Sequence, residues 1–520
     1  MNQLKIGAVL SYISIFLTNI IALLYTPYLL RMLGQSEYGL YSLVASVIAY
    51  LTVLDLGFGN AIVRYTAKYR VENRQEEQYE MFGMFLILYI GIGVFALLIG
   101  LGLYFNVDTL FSSSMDYDEI RKIQIMMLLM TLNLAITFPF SLFGSIITAY
   151  EDFIFQKLIN IARIILNPLV MVVMLNMGYK AIGMVVVTTL FNIVTLLINY
   201  WYCCHKIKIK IYFRRFRWDF FKEISIYSFW IFLSAIVDRI YWSTGQFILG
   251  IYYGAAVVAI YAVAIQFQGI YMGFSSAITS VFLPKVTALI ANNSDNKIIS
   301  DLFIRVGRIQ YIIMSFILTG FILFGHSFIK LWAGDNYGES YWITLCFLIP
   351  LTIPLTQNLG ITILQARNQM KFRSLLYVLI SMFSLSISIP LAKYYAGIGC
   401  ALGVSVALII GQIIIMNIYY KRKIGIDIPR FWREIAKMSL IPLLLGICSY
   451  IILSQITLDK PLYLGILIYS NYNLCFDFLP YSLNAYDNKS SFLYIFLFWY
   501  WGLNAYERQL LLPLRNIYKK

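Results

Sequence analysis

Charge is scarce in this chain: Asp, Glu, Lys and Arg make up 12% of its 520 residues, where a soluble domain carries about 25%. That shortage, with 60% hydrophobic residues and a mean hydropathy of +0.76, excludes a soluble globular fold. Histidine occurs only twice, and the six cysteines at 203, 204, 346, 400, 448 and 475 fall mostly inside apolar runs without zinc-type spacing. Metal chemistry is therefore not expected. The alternation that marks a membrane β-barrel strand is missing as well. The first apolar run is too long for a signal-peptide core and lacks a small-residue cleavage site, so it reads as a span.

What the chain does have is apolar runs of about 20 residues, the length that crosses a bilayer as a helix with every backbone group satisfied internally. Bounded by charged clusters, these runs predict helices near 6–30, 38–63, 81–105, 123–148, 153–176 and 181–204. A second series is expected near 224–250, 255–283, 302–325, 341–366, 372–392 and 397–420, followed by 435–457 and a last, poorly bounded segment. The fold class is an all-α integral membrane protein of about fourteen transmembrane helices.

The formal net charge of +15 raises nucleic acid as a partner, but in so apolar a chain the distribution of positive charge among loops decides orientation instead. Lys206, Lys208, Lys210, Arg214, Arg215, Arg217 and Lys222 crowd the connection after the sixth span. Lys421, Arg422, Lys423, Arg430, Arg433 and Lys437 crowd that after the twelfth. The connection after span three, NVDTLFSSSMDYDE, is acidic, and that after span seven, IYYGAA, is uncharged. Even connections are thus expected in the cytoplasm together with the N-terminus. Arg508, Arg515, Lys519 and Lys520 make the tail basic and place the C-terminus there too, which requires an even number of spans.

The chain also repeats itself. AYEDFIFQKLINIARIILNPLVMVVMLNMGYKAIG from 149 aligns with ARNQMKFRSLLYVLISMFSLSISIPLAKYYAGIG from 366, an offset of about 216 residues that also lays Leu33 and Gly34 on Leu249 and Gly250. Two copies of six spans share one orientation and imply two pseudo-symmetric lobes about a central cavity. The expected organisation is an N-lobe over 1–205, a basic cytoplasmic linker over 206–221, a C-lobe over 222–420, and a C-terminal helix pair with a basic tail over 421–520.

LGQSEYGLYSLVASVIAYLTVLDLGFGNAIVRYTAKYR (33–70) and VDRIYWSTGQFILGIYYGAAVVAIYAVA (237–264) resemble the bacterial polysaccharide transporter, or oligosaccharide flippase, family. That family belongs to the multidrug, oligosaccharidyl-lipid and polysaccharide exporter superfamily. The resemblance covers roughly residues 1–440. It implies a flippase that moves polyprenyl-diphosphate-linked oligosaccharide, the repeat unit of an O-antigen, capsule or exopolysaccharide, from the cytoplasmic to the outer leaflet of the bacterial inner membrane. No bond is made or broken, so no enzyme activity and no cofactor are expected. Membrane lipids surround the protein, and a polysaccharide polymerase with its chain-length machinery is a further expected partner. One segment departs from the pattern: ILIYSNYNLCFDFLPYSLNAYDNKSS (466–491) interrupts the last hairpin with polar residues.

Charges inside spans cost roughly 2.5 to 3.5 kcal/mol each at a helix centre, so they face cavities or partners. Arg239, about fifteen residues into span seven, suits a diphosphate through its planar fork of donors. An interhelical pair with an acid is the competing reading, although adjacent Asp238 points about 100° away on a helix. Arg163, about ten residues into span five, lies too deep to snorkel easily. Arg64 and Lys285, in similar places in the two halves, either snorkel to the interface or frame a cytoplasmic entrance for substrate. Asp55 and Asp238 are candidates for proton or sodium coupling, while Gly57 and Gly59 beside Asp55 equally fit a helix break that the carboxylate caps. Tyr241 and Trp242 could stack on a sugar.

Two other functions compete. A multidrug and toxin extrusion antiporter shares the superfamily but exports organic cations, which a positively lined cavity repels. A membrane polysaccharide polymerase needs a large external loop carrying its chemistry, and the longest expected external loop, 458–490, holds no catalytic constellation.

Overall fold

The computed structural model describes residues 3–214, 218–292, 295–367 and 369–455. The last expected span, the polar interruption at 466–491, the basic tail, and Arg215 and Arg217 of the linker lie outside the described residues.

The first six spans are α1 (Gln3–Leu33), α2 (Gln35–Leu51) continued by α3 (Phe58–Val71), α4 (Gln75–Phe111), α5 (Tyr117–Ala149), α6 (Phe153–Asn176) and α7 (Ala181–Tyr202). The second series comprises α8 (Trp218–Trp242) with α9 (Thr244–Tyr253), α10 (Ala255–Ala291), α11 (Asn296–Ala333), α12 (Ser340–Thr356) with α13 (Leu359–Ala366), and α14 (Met370–Leu408) with α15 (Met416–Tyr419). α16 (Ile428–Gln455) covers the thirteenth expected span. Among the described residues there is no strand, and ten helical stretches are long and apolar enough to cross a membrane. One of them, Met370–Ile424, takes in two expected spans. It breaks at Tyr395 and Ala396, where Ala396 has φ +45°. The helices overrun the apolar runs, because charged and polar residues end a hydrophobic span without ending a helix. α4 thus begins at Gln75 rather than near 81.

The repeat is visible in the backbone. A wide helical turn at Cys203–Ile207 ends on left-handed Lys208, φ +58°, and the Ile209 N–H donates to Cys203 O at 3.2 Å. The same turn at Tyr420–Ile424 ends on left-handed Gly425, φ +77°, and the Ile426 N–H donates to Tyr420 O at 3.0 Å. One alignment needs correction: Gly34, φ +78° between α1 and α2, corresponds to Gly254, φ +81° between α9 and α10. Gly250 lies inside α9. A left-handed turn selects glycine, whereas the Leu-Gly pair matched by offset carries no such requirement.

Chain contacts define two units, Met1–Val263 with Ser374–Val404 and Ala264–Arg373 with Ser405–Lys520. In the first, α4 packs on α5, α5 on α7 and α1 on α6. Small residues allow the close approach typical of membrane helices: a Cβ on Gly93 would lie 2.7 Å from the Ala135 carbonyl oxygen. In the second unit α16 is fastened to α11 by Arg308 to Glu434 at 2.6 Å, Arg430 to Asp301 at 2.6 Å, and Tyr311 to Ser439 at 2.7 Å. Arg308 is 5% exposed and so a buried ion-pair partner.

Candidate functional site

Along α6, Gln156, Asn160, Arg163 and Asn167 recur at steps of four, three and four residues, which puts them on one face of the helix. On α7, Thr195 and Asn199 stand four residues apart. Between these faces lies a cavity of about 280 Å³ lined by Gln156, Lys157, Asn160, Arg163, Thr195 and Asn199, with Ile159. Among the described residues its lining has two cations and no carboxylate. Arg163 stands ten residues into α6, about 15 Å along the axis at 1.5 Å per residue, or roughly halfway through a hydrocarbon core of about 30 Å.

The walls are held from outside. Gln156 Nε2 donates to Gly144 O at 3.4 Å, and its Oε1 accepts from Thr148 at 3.1 Å. Asn192, one turn from Thr195, donates to Asn133 Oδ1 at 2.9 Å and Thr137 Oγ1 at 2.7 Å, tying α7 to α5. The side chains of Arg163, Lys157, Asn160 and Asn199, by contrast, have no hydrogen bond or ion pair among the described residues. The buried Oδ1 of Asn167, one turn beyond, also lacks a partner. At the depth of Arg163 and Asn167, uncompensated polar groups are costly against lipid. Of this set the sequence reading singled out only Arg163. The signal for the rest was the helical period of polar residues within an apolar helix.

Asp55 ends a 3-10 turn, Thr52–Asp55, that interrupts span two. Leu56 and Gly57 follow in left-handed conformation, φ +54° and +74°. The Asp55 carboxylate accepts from Tyr89 Oη at 2.9 Å and from the Gly57 N–H. The carboxylate caps the break, as the neighbouring glycines allowed. No Lys or Arg pairs with it among the described residues.

Arg239 lies in the last turn of α8. It is half-buried, and its Nε is buried without a hydrogen-bond partner. Tyr50 of α2 donates to the Arg239 carbonyl at 3.3 Å and meets the Thr244 hydroxyl just past the Trp242–Ser243 break. Asp238 is exposed and engaged by another residue. Tyr241 is 3% exposed, against a cavity of about 10 Å³ that Ser384 and Ser388 also line, room for about one water. In this conformation its ring offers no open face, and Trp242 beside it is half-buried. Arg64 is exposed on α3, 5.7 Å from the Tyr65 ring. Lys285 is exposed on α10. These last two belong to different contact units, whereas Arg163 is grouped with a second cation and three carboxamides.

A sequence profile described as "Polysaccharide biosynthesis protein" matches residues 4–290. A Shigella flexneri protein named "Putative O-antigen transporter" is 22% identical over 403 residues, covering 75% of this chain and 92% of that one. Among solved structures, "Lipid II flippase MurJ, inward closed conformation" superposes with a TM-score of 0.67 at 16% identity, over 90% of this chain and 98% of that chain. An inward-facing multidrug resistance transporter of the MATE family and MOP superfamily gives 0.61 at 16% identity, over 77% and 93%. A MOP superfamily transporter from Pyrococcus furiosus gives 0.55 at 16%, over 80% and 96%. Identities this low establish a shared fold, while the profile covers more than half of the chain. The chain therefore belongs to the polysaccharide biosynthesis protein family, as a multi-pass membrane transporter on the fold of the MOP superfamily and not as an enzyme.

Proposed function

We propose that this protein flips polyprenyl-diphosphate-linked oligosaccharide repeat units across the bacterial inner membrane by alternating access, with both termini in the cytoplasm, for O-antigen, capsule or exopolysaccharide assembly. The observation that carries this reading is Arg163: a guanidinium about halfway along a membrane helix, without a carboxylate partner among the described residues, in a cavity that adds Lys157. Guanidinium binds phosphoryl oxygens through paired, charge-assisted hydrogen bonds and keeps its charge at any physiological pH. Arg239, Arg64 and Lys285 are assigned to the path of the same diphosphate, Tyr241 and Trp242 to sugar contact in a more open state, and Asp55 or Asp238 to proton or sodium coupling. The Shigella relative's name and the lipid II flippase fold support the substrate class. An organic cation, the cargo of an antiporter, would be repelled by two positive side chains.

The test is complementation. In cells lacking this gene, lipid-linked repeat units should accumulate on the cytoplasmic leaflet, the intact gene should clear them, and Arg163→Ala should not, at equal protein abundance. Full clearance by Arg163→Ala would refute the role of the guanidinium. Resistance to organic cations conferred by expression would favour the antiporter.

A further inference from the structure

The cavity between α6 and α7 holds more recognition chemistry than an anion alone requires. Asn160 and Asn199 each present donors and acceptors without using them inside the protein among the described residues. Bound phosphate calls for donors only; sugar hydroxyls, which both donate and accept, match carboxamides. The volume of about 280 Å³ lies just below the ~300–1,000 Å³ typical of small-molecule sites. It suits one ring with its substituent and is too small for a complete multi-sugar unit.

We infer that this cavity binds a single hydroxylated sugar ring together with an attached oxyanion, the oxyanion between Arg163 and Lys157 and the hydroxyls on Asn160 and Asn199. The inference rests on the proposed function and names which portion of the substrate the site reads. The oxyanion has two sources in such a substrate: the phosphoryl link to the polyprenyl carrier, or the carboxylate of an acidic sugar. Both have oxygens that fit the guanidinium fork. Asn160 and Asn199 thereby become specificity-determining residues.

Titration calorimetry on the purified full-length protein with glucose 1-phosphate, glucuronate and glucose separates these cases. Glucose 1-phosphate should bind, and glucose much more weakly. Losing one charge-assisted hydrogen bond in Arg163→Gln should weaken glucose 1-phosphate about ten- to hundredfold. Asn160→Leu should weaken it about three- to tenfold. Asn160 is exposed and makes no internal hydrogen bond among the described residues, so its replacement leaves folding unaffected. Glucuronate binding as tightly as glucose 1-phosphate, with the same variant losses, identifies the acidic sugar as a source of the oxyanion; weak glucuronate binding identifies the phosphoryl link. Equal binding of glucose, no binding of any of the three, or wild-type affinity in both variants overturns the site. Transport of lipid-linked oligosaccharide into vesicles keeps the two readings apart: its absence in the wild type defeats the proposed function and leaves the titrations standing. Normal transport by Asn160→Leu with binding weakened as expected defeats the assigned site's part in transport alone.

Discussion

Asp238 and Arg239 are sequence neighbours with different surroundings. One is exposed and engaged elsewhere, and the other is half-buried with an unpartnered Nε. The 100° step between adjacent helical residues separates them. Asp238→Asn should therefore lower protein abundance, and Arg239→Ala should lower transport at normal abundance. A double variant that recovered both losses would instead mark a mutually neutralising pair, because removing one partner strands a charge and removing both does not. Asp55 bears on energy coupling. If it carries the coupled proton, Asp55→Asn should transport at a rate that no longer responds to the pH gradient in vesicles; an unchanged response would assign coupling elsewhere. Depth in an apolar run was enough to single out these ionisable residues, since each is improbable against lipid. Which of them meet was not legible, because spacing along one helix does not specify the facing helix.

At the scale of elements, the break in span two depends on Gly57, φ +74°. An L side chain in that region costs about 1–2 kcal/mol, so Gly57→Ala should lower the thermal inactivation midpoint in detergent, and an unshifted midpoint would mean that the backbone relaxes there without penalty. The attachment of α16 makes a second case. Arg308 is almost fully buried against Glu434, so Glu434→Ala leaves a buried guanidinium short of its anion and should destabilise the protein. Arg308→Met combined with Glu434→Leu should regain much of the loss, as for other buried pairs; a double variant no better than the single one would count against this pairing. Helix positions were readable from hydrophobic runs because the bilayer imposes a length. The glycines beside Asp55 allowed the interruption at 52–57, but those at 243, 357–358 and 395–396 were not legible: a break is set by backbone angles and local hydrogen bonds that hydropathy does not record.

For the molecule as a whole, the positive-inside pattern predicts sidedness, and exposed positions are available to test it. A maleimide on Phe213→Cys should react only from the cytoplasm, and on Ser113→Cys only from outside; both native residues are exposed. The reverse pattern would invert the topology and exchange the two faces in the proposed direction of transport.

By itself the sequence determined that this is an all-helical membrane protein, where the ten apolar stretches of the described residues run and which family it resembles, because solvation in a bilayer acts on each segment independently. Tertiary structure decided that the carboxamides of α6 and α7 surround Arg163, that Asp55 closes a helix break through Tyr89 and Gly57, and that Arg308 is buried against α16. Each of those outcomes joins segments distant along the chain, and their energies depend on which faces are pressed together rather than on what any one segment contains.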